Sequence, residues 1–162
     1  MKHHISALEL TQVGIVAAIY AAVTVLLAPL SYLLVQVRIS ESLMLLCCYR
    51  KKWCQALTLG CLIANLFSGM ALDMVFGTLA TLLAALAMNA VKKPLPASLI
   101  PAVVNGIVIG AELYFFMDCP LIPAMLSVAA GELISVVFIG LPLLHAALRS
   151  ETLRKLIDAP KP

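Results

Sequence analysis

Two glutamates, Glu112 and Glu132, lie inside apolar stretches long enough to cross a membrane. A carboxylate at the centre of such a helix costs about 2.5–3.5 kcal/mol on insertion scales, so its presence calls for a role. Around them in the chain stand Gln36, Arg38, Glu41, Asn65, Asp73 and Asn105, polar groups in otherwise hydrophobic surroundings. Their chemistry is recognition. Carboxylates accept hydrogen bonds, guanidinium donates, and amides do both. No H-E-x-x-H, G-x-S-x-G or P-loop motif accompanies them, and no catalytic residue, metal ligand or cofactor site is assigned. The chain has no ATP-hydrolysis motif, so any pumping needs a partner that supplies the energy.

Each of these residues also has a purely structural reading. Asp73 and Glu41 can be helix N-terminal acids that complement the macrodipole. Arg38 can snorkel to head groups or pair with Glu41. Asn65 and Asn105 can be hydrogen-bond glue between helices. Glu112 and Glu132 are harder to dismiss as filler. His145 reads as an interfacial residue. Tyr32, Phe67, Phe76, Tyr114 and Phe115 read as lipid-facing anchors, or in one or two cases as stacking surfaces for a flat ligand.

The elements that must position these groups follow from composition and charge. The chain has 162 residues, is 63% hydrophobic and only 12% charged; a soluble domain carries about a quarter charged residues. Ten of its eleven Lys and Arg fall into four clusters: Lys2; Arg50, Lys51 and Lys52; Lys92 and Lys93; and Arg149, Arg154, Lys155 and Lys161. Basic residues are retained on the cytoplasmic side of a membrane. If all four clusters lie there, each interval crosses and returns. The expectation is an all-α integral membrane bundle of six transmembrane helices, with both termini cytoplasmic and a single transmembrane domain over 1–162. Helices are expected at about 10–28, 41–49, 55–67, 72–91, 97–116 and 121–148. The second is barely half a bilayer at ~1.5 Å per residue, so the preceding segment must extend it. Pro142 is expected to kink the last span, and a short interfacial helix is expected before Pro160.

In this topology the polar groups gather in the outer half. Glu132 is twelve residues past Pro120, about 18 Å along a helix and near the midplane. Glu112 is five residues before Met117, about 8 Å below the outer surface. Arg38 is the one basic residue on the outer side. The pattern predicts a pocket opening outward. The +3 charge comes from short juxtamembrane clusters and not from a continuous basic face, which argues against nucleic acid as a partner.

The first helix carries Gly14, Ala18 and Ala22 at spacings of four, and likewise Ala17 and Ala21. Small residues so spaced let another helix approach closely, either within the bundle or from a second membrane protein. The start of the chain reads as a retained span with no cleavable signal peptide. The five cysteines form no C-x-x-C pair and read as small apolar filler.

Three stretches carry a family resemblance: Gln36-Val37-Arg38-Ile39-Ser40-Glu41-Ser42-Leu43, then Thr58-Leu59-Gly60-Cys61-Leu62-Ile63-Ala64-Asn65-Leu66, then Leu72-Asp73-Met74-Val75-Phe76-Gly77-Thr78-Leu79-Ala80-Thr81-Leu82. The chain resembles the QueT family, the queuosine-precursor-specific membrane subunits (S components) of energy-coupling factor (ECF) transporters. The resemblance implies a bacterial plasma-membrane protein that captures a 7-deazaguanine base or queuine from outside. It also implies docking, through the small residues of the first helix, onto a transmembrane coupling subunit that works with two cytoplasmic ATPases. Glu112 and Glu132 match by pattern and not by motif. A guanine-like edge offers two adjacent N–H donors that one carboxylate can accept bidentately, and Gln36, Arg38, Asn65 or Asn105 can donate to its carbonyl. Competing readings are an S component for riboflavin, biotin or a similar vitamin, an integral-membrane enzyme, and a membrane scaffold without a ligand.

Overall fold

A computed structural model describes residues 6–27, 37–67 and 71–159, and all regular structure among them is helical. Seven helices follow in order: α1 Ala7–Leu26, α2 Ile39–Cys48, α3 Lys51–Asn65, α4 Ala71–Val91, α5 Pro94–Met117, α6 Leu121–Arg149 and α7 Glu151–Ile157. By length and composition, α1, α4, α5 and α6 can cross a membrane.

Local chemistry sets the boundaries. α1 starts before the expected Leu10 because the Ser6 hydroxyl caps it, accepting from the Glu9 amide at 3.2 Å. α3 starts before the expected 55 and takes Lys51 and Lys52 into its first turn. α4 stops at Lys92, whose φ of 58° is left-handed, and Pro94 opens α5. α5 stops at Asp118, also left-handed, with the Cys119 amide reaching back to the Leu113 carbonyl at 3.2 Å. Ser150 breaks α6 and caps α7.

Two elements depart from α geometry. The ten residues of α2 form a 3₁₀ helix, which rises ~2.0 Å per residue and so reaches about 20 Å. The half-bilayer length expected from an α rise is therefore too short. In α6 the disturbance expected at Pro142 spreads upstream. Residues Leu133–Gly140 are wound as π-helix between two α segments. Proline has no N–H and crowds the carbonyl four residues back, and a wider turn relieves both problems.

The helices pack in sequence, α1 on α3, α3 on α4, α4 on α5 and α5 on the first half of α6. The 3₁₀ helix α2 lies inside, against α1, α3, α4 and the π segment. Met44, Leu45, Cys47, Leu57, Met88 and Val136 form the core there. Gly60 makes the α1–α3 approach close: a Cβ would stand 2.8 Å from the Ala17 carbonyl and from Tyr20 Cβ. Large apolar side chains point away from the bundle instead of into it, among them Leu26, Leu83, Val103, Leu126 and Phe138. Such a surface suits lipid.

The basic clusters among the described residues share one end. Lys52 donates to Gln12 at 2.9 Å and to Asp158 at 2.6 Å, and Arg50 stands 3.5 Å from Glu9. Trp53 Nε1 donates to the Ile157 carbonyl at 3.1 Å, fastening α7 across the start of α3. Antiparallel pairing of α3 and α4 brings Lys92 and Lys93 to the same end, while Asn65 meets Asp73 at the other.

Candidate functional site

The residues that sequence reasoning singled out converge. Arg38, Glu41, Asn65, Asp73, Asn105, Glu112 and Glu132 come from five elements, and each is 5% exposed or less. They line the inside of the bundle from the end opposite the basic clusters toward its middle. Gln36 lies outside the described residues, as does Tyr32.

The N-terminal ends of α2 and α4 meet the C-terminal end of α3. Arg38, just before α2, pairs with Asp73 in the first turn of α4 at 3.5 Å, with both side chains buried. Its other guanidinium nitrogen lies 3.8 Å from Cys61 Sγ. Asn65 Nδ2 donates to the Asp73 main-chain carbonyl at 2.9 Å. That bond crosses Gly77, where a Cβ would stand 2.8 Å from Asn65 Nδ2, so only glycine leaves the passage open. Glu41 and Asp73 each occupy the first turn of a helix, as the macrodipole favours. Both also face the interior.

Three glutamates stand around this ion pair in different states. Glu41 accepts from the Tyr20 phenol through Oε1. Glu132, the last residue before the π segment, accepts from Asn105 Nδ2 at 2.6 Å through Oε1. Neither oxygen of Glu112 has a hydrogen-bond partner among the described residues. Glu112 lies in the field of Asp73 and Arg38, and Glu132 in that of Glu41 and Arg38. Six buried acceptor oxygens of these site residues have no partner among the described residues: Glu41 Oε2, Asp73 Oδ1, Asn105 Oδ1, Glu132 Oε2 and both oxygens of Glu112. A buried acceptor left unmade costs about 1–3 kcal/mol, and more when charged. Native structures hold few such groups, and each asks for an explanation.

The structure adds residues that the sequence reading left out of the site. Tyr20 and Thr24, which the family resemblance counts with the docking face of the first helix, are instead buried on α1 and hold Glu41 and Ser40. They continue the inward stripe of Ala17 and Ala21, and their spacing of four was the available signal. Cys61, expected to be apolar filler, receives hydrogen bonds from Thr81 at 3.2 Å and Asn65 at 3.4 Å within the polar cluster. The buried aromatic at the site is Tyr20. Phe67, Tyr114 and Phe115 are exposed, and Phe76 packs on Phe116 at 5.9 Å. His145 is exposed toward the basic end.

The small residues of α1 divide between two faces. Ala17 and Ala21 are buried within the bundle, so neither can touch a second protein directly. Gly14, Ala18 and Ala22 lie on the exposed side, and nothing lies within 4 Å of where a Gly14 Cβ would be.

The profile described as QueT transporter matches residues 10–149, from α1 to the end of α6. The chain belongs to the QueT transporter family. A relative from Lactococcus lactis subsp. cremoris (strain MG1363), named Queuosine precursor transporter QueT, is 37% identical over 76 residues. That match takes in 46% of this chain and 45% of the relative, so it spans less than half of either. No solved structure matches. The matched span of the family holds all seven described candidate site residues, and the membrane-like surface agrees with a transporter.

Proposed function

We propose that this chain is the substrate-binding S component of an ECF transporter and that it captures a queuosine precursor of the 7-deazaguanine type. The observation that carries the reading is the set of six buried acceptors around Arg38 that have no partner among the described residues. A ligand that fits must be small, polar and rich in N–H donors. A deazaguanine offers a ring N–H beside an amino group, a matched pair for one carboxylate. Glu112 suits that pair because both of its oxygens are open. Glu41 and Glu132 each offer one oxygen, for the remaining N–H groups or for an aminomethyl cation. Four carboxyl groups facing one guanidinium among the described buried residues favour a positively charged substituent. Arg38 and Asn65 are placed to serve the ring carbonyl.

The rest of the reading follows from the charge pattern and the family. The basic end is cytoplasmic, six crossings put both termini there, and the polar cluster faces outward in a bacterial plasma membrane. The loaded subunit docks through Gly14, Ala18 and Ala22 onto a transmembrane coupling subunit, and two cytoplasmic ATPases power release. Affinity must fall in the docked state, because a ligand held equally in both states is not delivered.

Equilibrium binding to the purified chain tests this. The panel is 7-cyano- and 7-aminomethyl-7-deazaguanine, queuine, guanine, riboflavin and biotin. Selective binding of a deazaguanine over guanine is expected. Selective binding of riboflavin or biotin would replace the substrate, and no binding by folded protein would overturn the capture role.

A further inference from the structure

α1 touches the candidate site on one face and presents its small residues on another. On the inner face Tyr20 is fully buried and its phenol donates to Glu41 Oε1. One turn on, the Thr24 hydroxyl donates to the Tyr20 carbonyl at 2.9 Å and stands 2.5 Å from the Ser40 hydroxyl. The single Thr24 proton is committed to that carbonyl, so Ser40 is the donor in the second contact. Ser40 and Glu41 are consecutive residues in the first turn of α2. Two side chains of α1 thus grip two adjacent residues of the 3₁₀ helix. The tie leaves Glu41 Oε2 buried and unpartnered. Without Tyr20, nothing shown by the structure would hold the other oxygen.

We propose that Tyr20 and Thr24 are positioning residues that transmit displacement of α1 to Glu41, so that docking on the outer face of α1 weakens the ligand's hold. This rests on the S-component reading above. α1 meets α3 at van der Waals contact through Gly60, which leaves it no room to move inward without sliding. A partner helix pressing on Gly14, Ala18 and Ala22 therefore shifts α1 along or across α3. The Tyr20 phenol and the Thr24 hydroxyl move with it. Glu41 then turns away from the ligand or loses the donor that orients it. Hydrogen bonds weaken steeply with angle and distance, so a small shift is enough.

The test compares affinity in two states. Binding of 7-aminomethyl-7-deazaguanine is measured by calorimetry on the full chain, alone and assembled with its coupling subunit and ATPases. Wild type, Tyr20→Phe, Thr24→Val, Glu41→Gln and the Tyr20→Phe/Glu41→Gln double variant are compared. Tyr20→Phe should weaken binding to the free chain about tenfold, the order expected for one hydrogen bond to a charged group. It should leave the docked affinity within about twofold, so that the gap between states narrows. The double variant should bind no more weakly than Glu41→Gln alone, because Tyr20 acts through that carboxylate. Thr24→Val should act in the same direction by a smaller factor, and it decides the question if Tyr20→Phe does not fold. Equal weakening in both states, or losses additive with Glu41→Gln, would mark these residues as packing only and overturn the inference. Wild-type protein that binds no deazaguanine would bring down the substrate reading and this inference together. Wild-type binding with an unchanged gap in both α1 variants would sink this inference alone.

Discussion

The two ends of the bundle use polar residues in opposite ways. At the basic end Lys52 reaches both Gln12 and Asp158, Trp53 Nε1 finds the Ile157 carbonyl, and Lys155 pairs with Glu151 at 2.9 Å. Those contacts are complete and, apart from Trp53, at least partly exposed. In the interior toward the other end, Glu41, Asp73, Asn105, Glu112 and Glu132 are buried, and each keeps at least one acceptor without a partner among the described residues. One set of contacts holds the chain together. The other is costly among the described residues and, on the proposed reading, gains its full complement when a ligand brings donors. Burial together with unmet acceptors is what sets it apart from a fastening.

That contrast breaks first at Arg38. Replacing it with Met leaves Asp73 as an uncompensated buried carboxylate, and a loss of about 3–5 kcal/mol in stability is expected. Thermal unfolding in detergent measures it, and adding Asp73→Asn should restore much of the loss. A smaller effect is expected at Gly77. Alanine there displaces Asn65 from the Asp73 carbonyl and should cost about 1–3 kcal/mol, with weaker ligand binding in the same preparation. At the basic end Trp53→Phe removes the hydrogen bond to α7 and part of a fully buried ring. It should cost about 1–3 kcal/mol and leave ligand affinity unchanged, as read by unfolding and calorimetry together. Lys52→Met should be smallest, at most about 1 kcal/mol, since its ion pair is partly exposed and screened. A basic-end variant that lowered affinity as much as Gly77→Ala would erase the distinction between the ends.

Much of the candidate site was legible in the sequence because polar residues in apolar helices are rare enough to be counted singly. Glu112 and Glu132 stand out by depth alone, and Arg38 stands out as the basic residue away from the clusters. What was not legible depends on geometry that residue types do not encode. Nothing in Ile-Ser-Glu-Ser-Leu-Met-Leu-Leu-Cys-Cys marks a 3₁₀ helix, so the reach of α2 was underestimated. Pro142 announced a disturbance but not its spread over Leu133–Gly140. Cys61 reads as filler by composition, and only the arrival of Thr81 and Asn65 around its sulfur shows otherwise. The five small residues of α1 look alike as a pattern. Which of them face inward is set by Gly60 on α3, a residue far away in sequence.

The most direct test of the central claim, that the unpartnered acceptors are seats for a ligand's donors, is the affinity of Glu112→Gln, Glu132→Gln and the double variant for 7-aminomethyl-7-deazaguanine. Glutamine keeps the shape but replaces an acceptor with a donor. A loss of roughly tenfold or more is expected at Glu112, where two charge-assisted bonds are at stake, and a smaller one at Glu132. Folded double-variant protein that binds as tightly as wild type would contradict it.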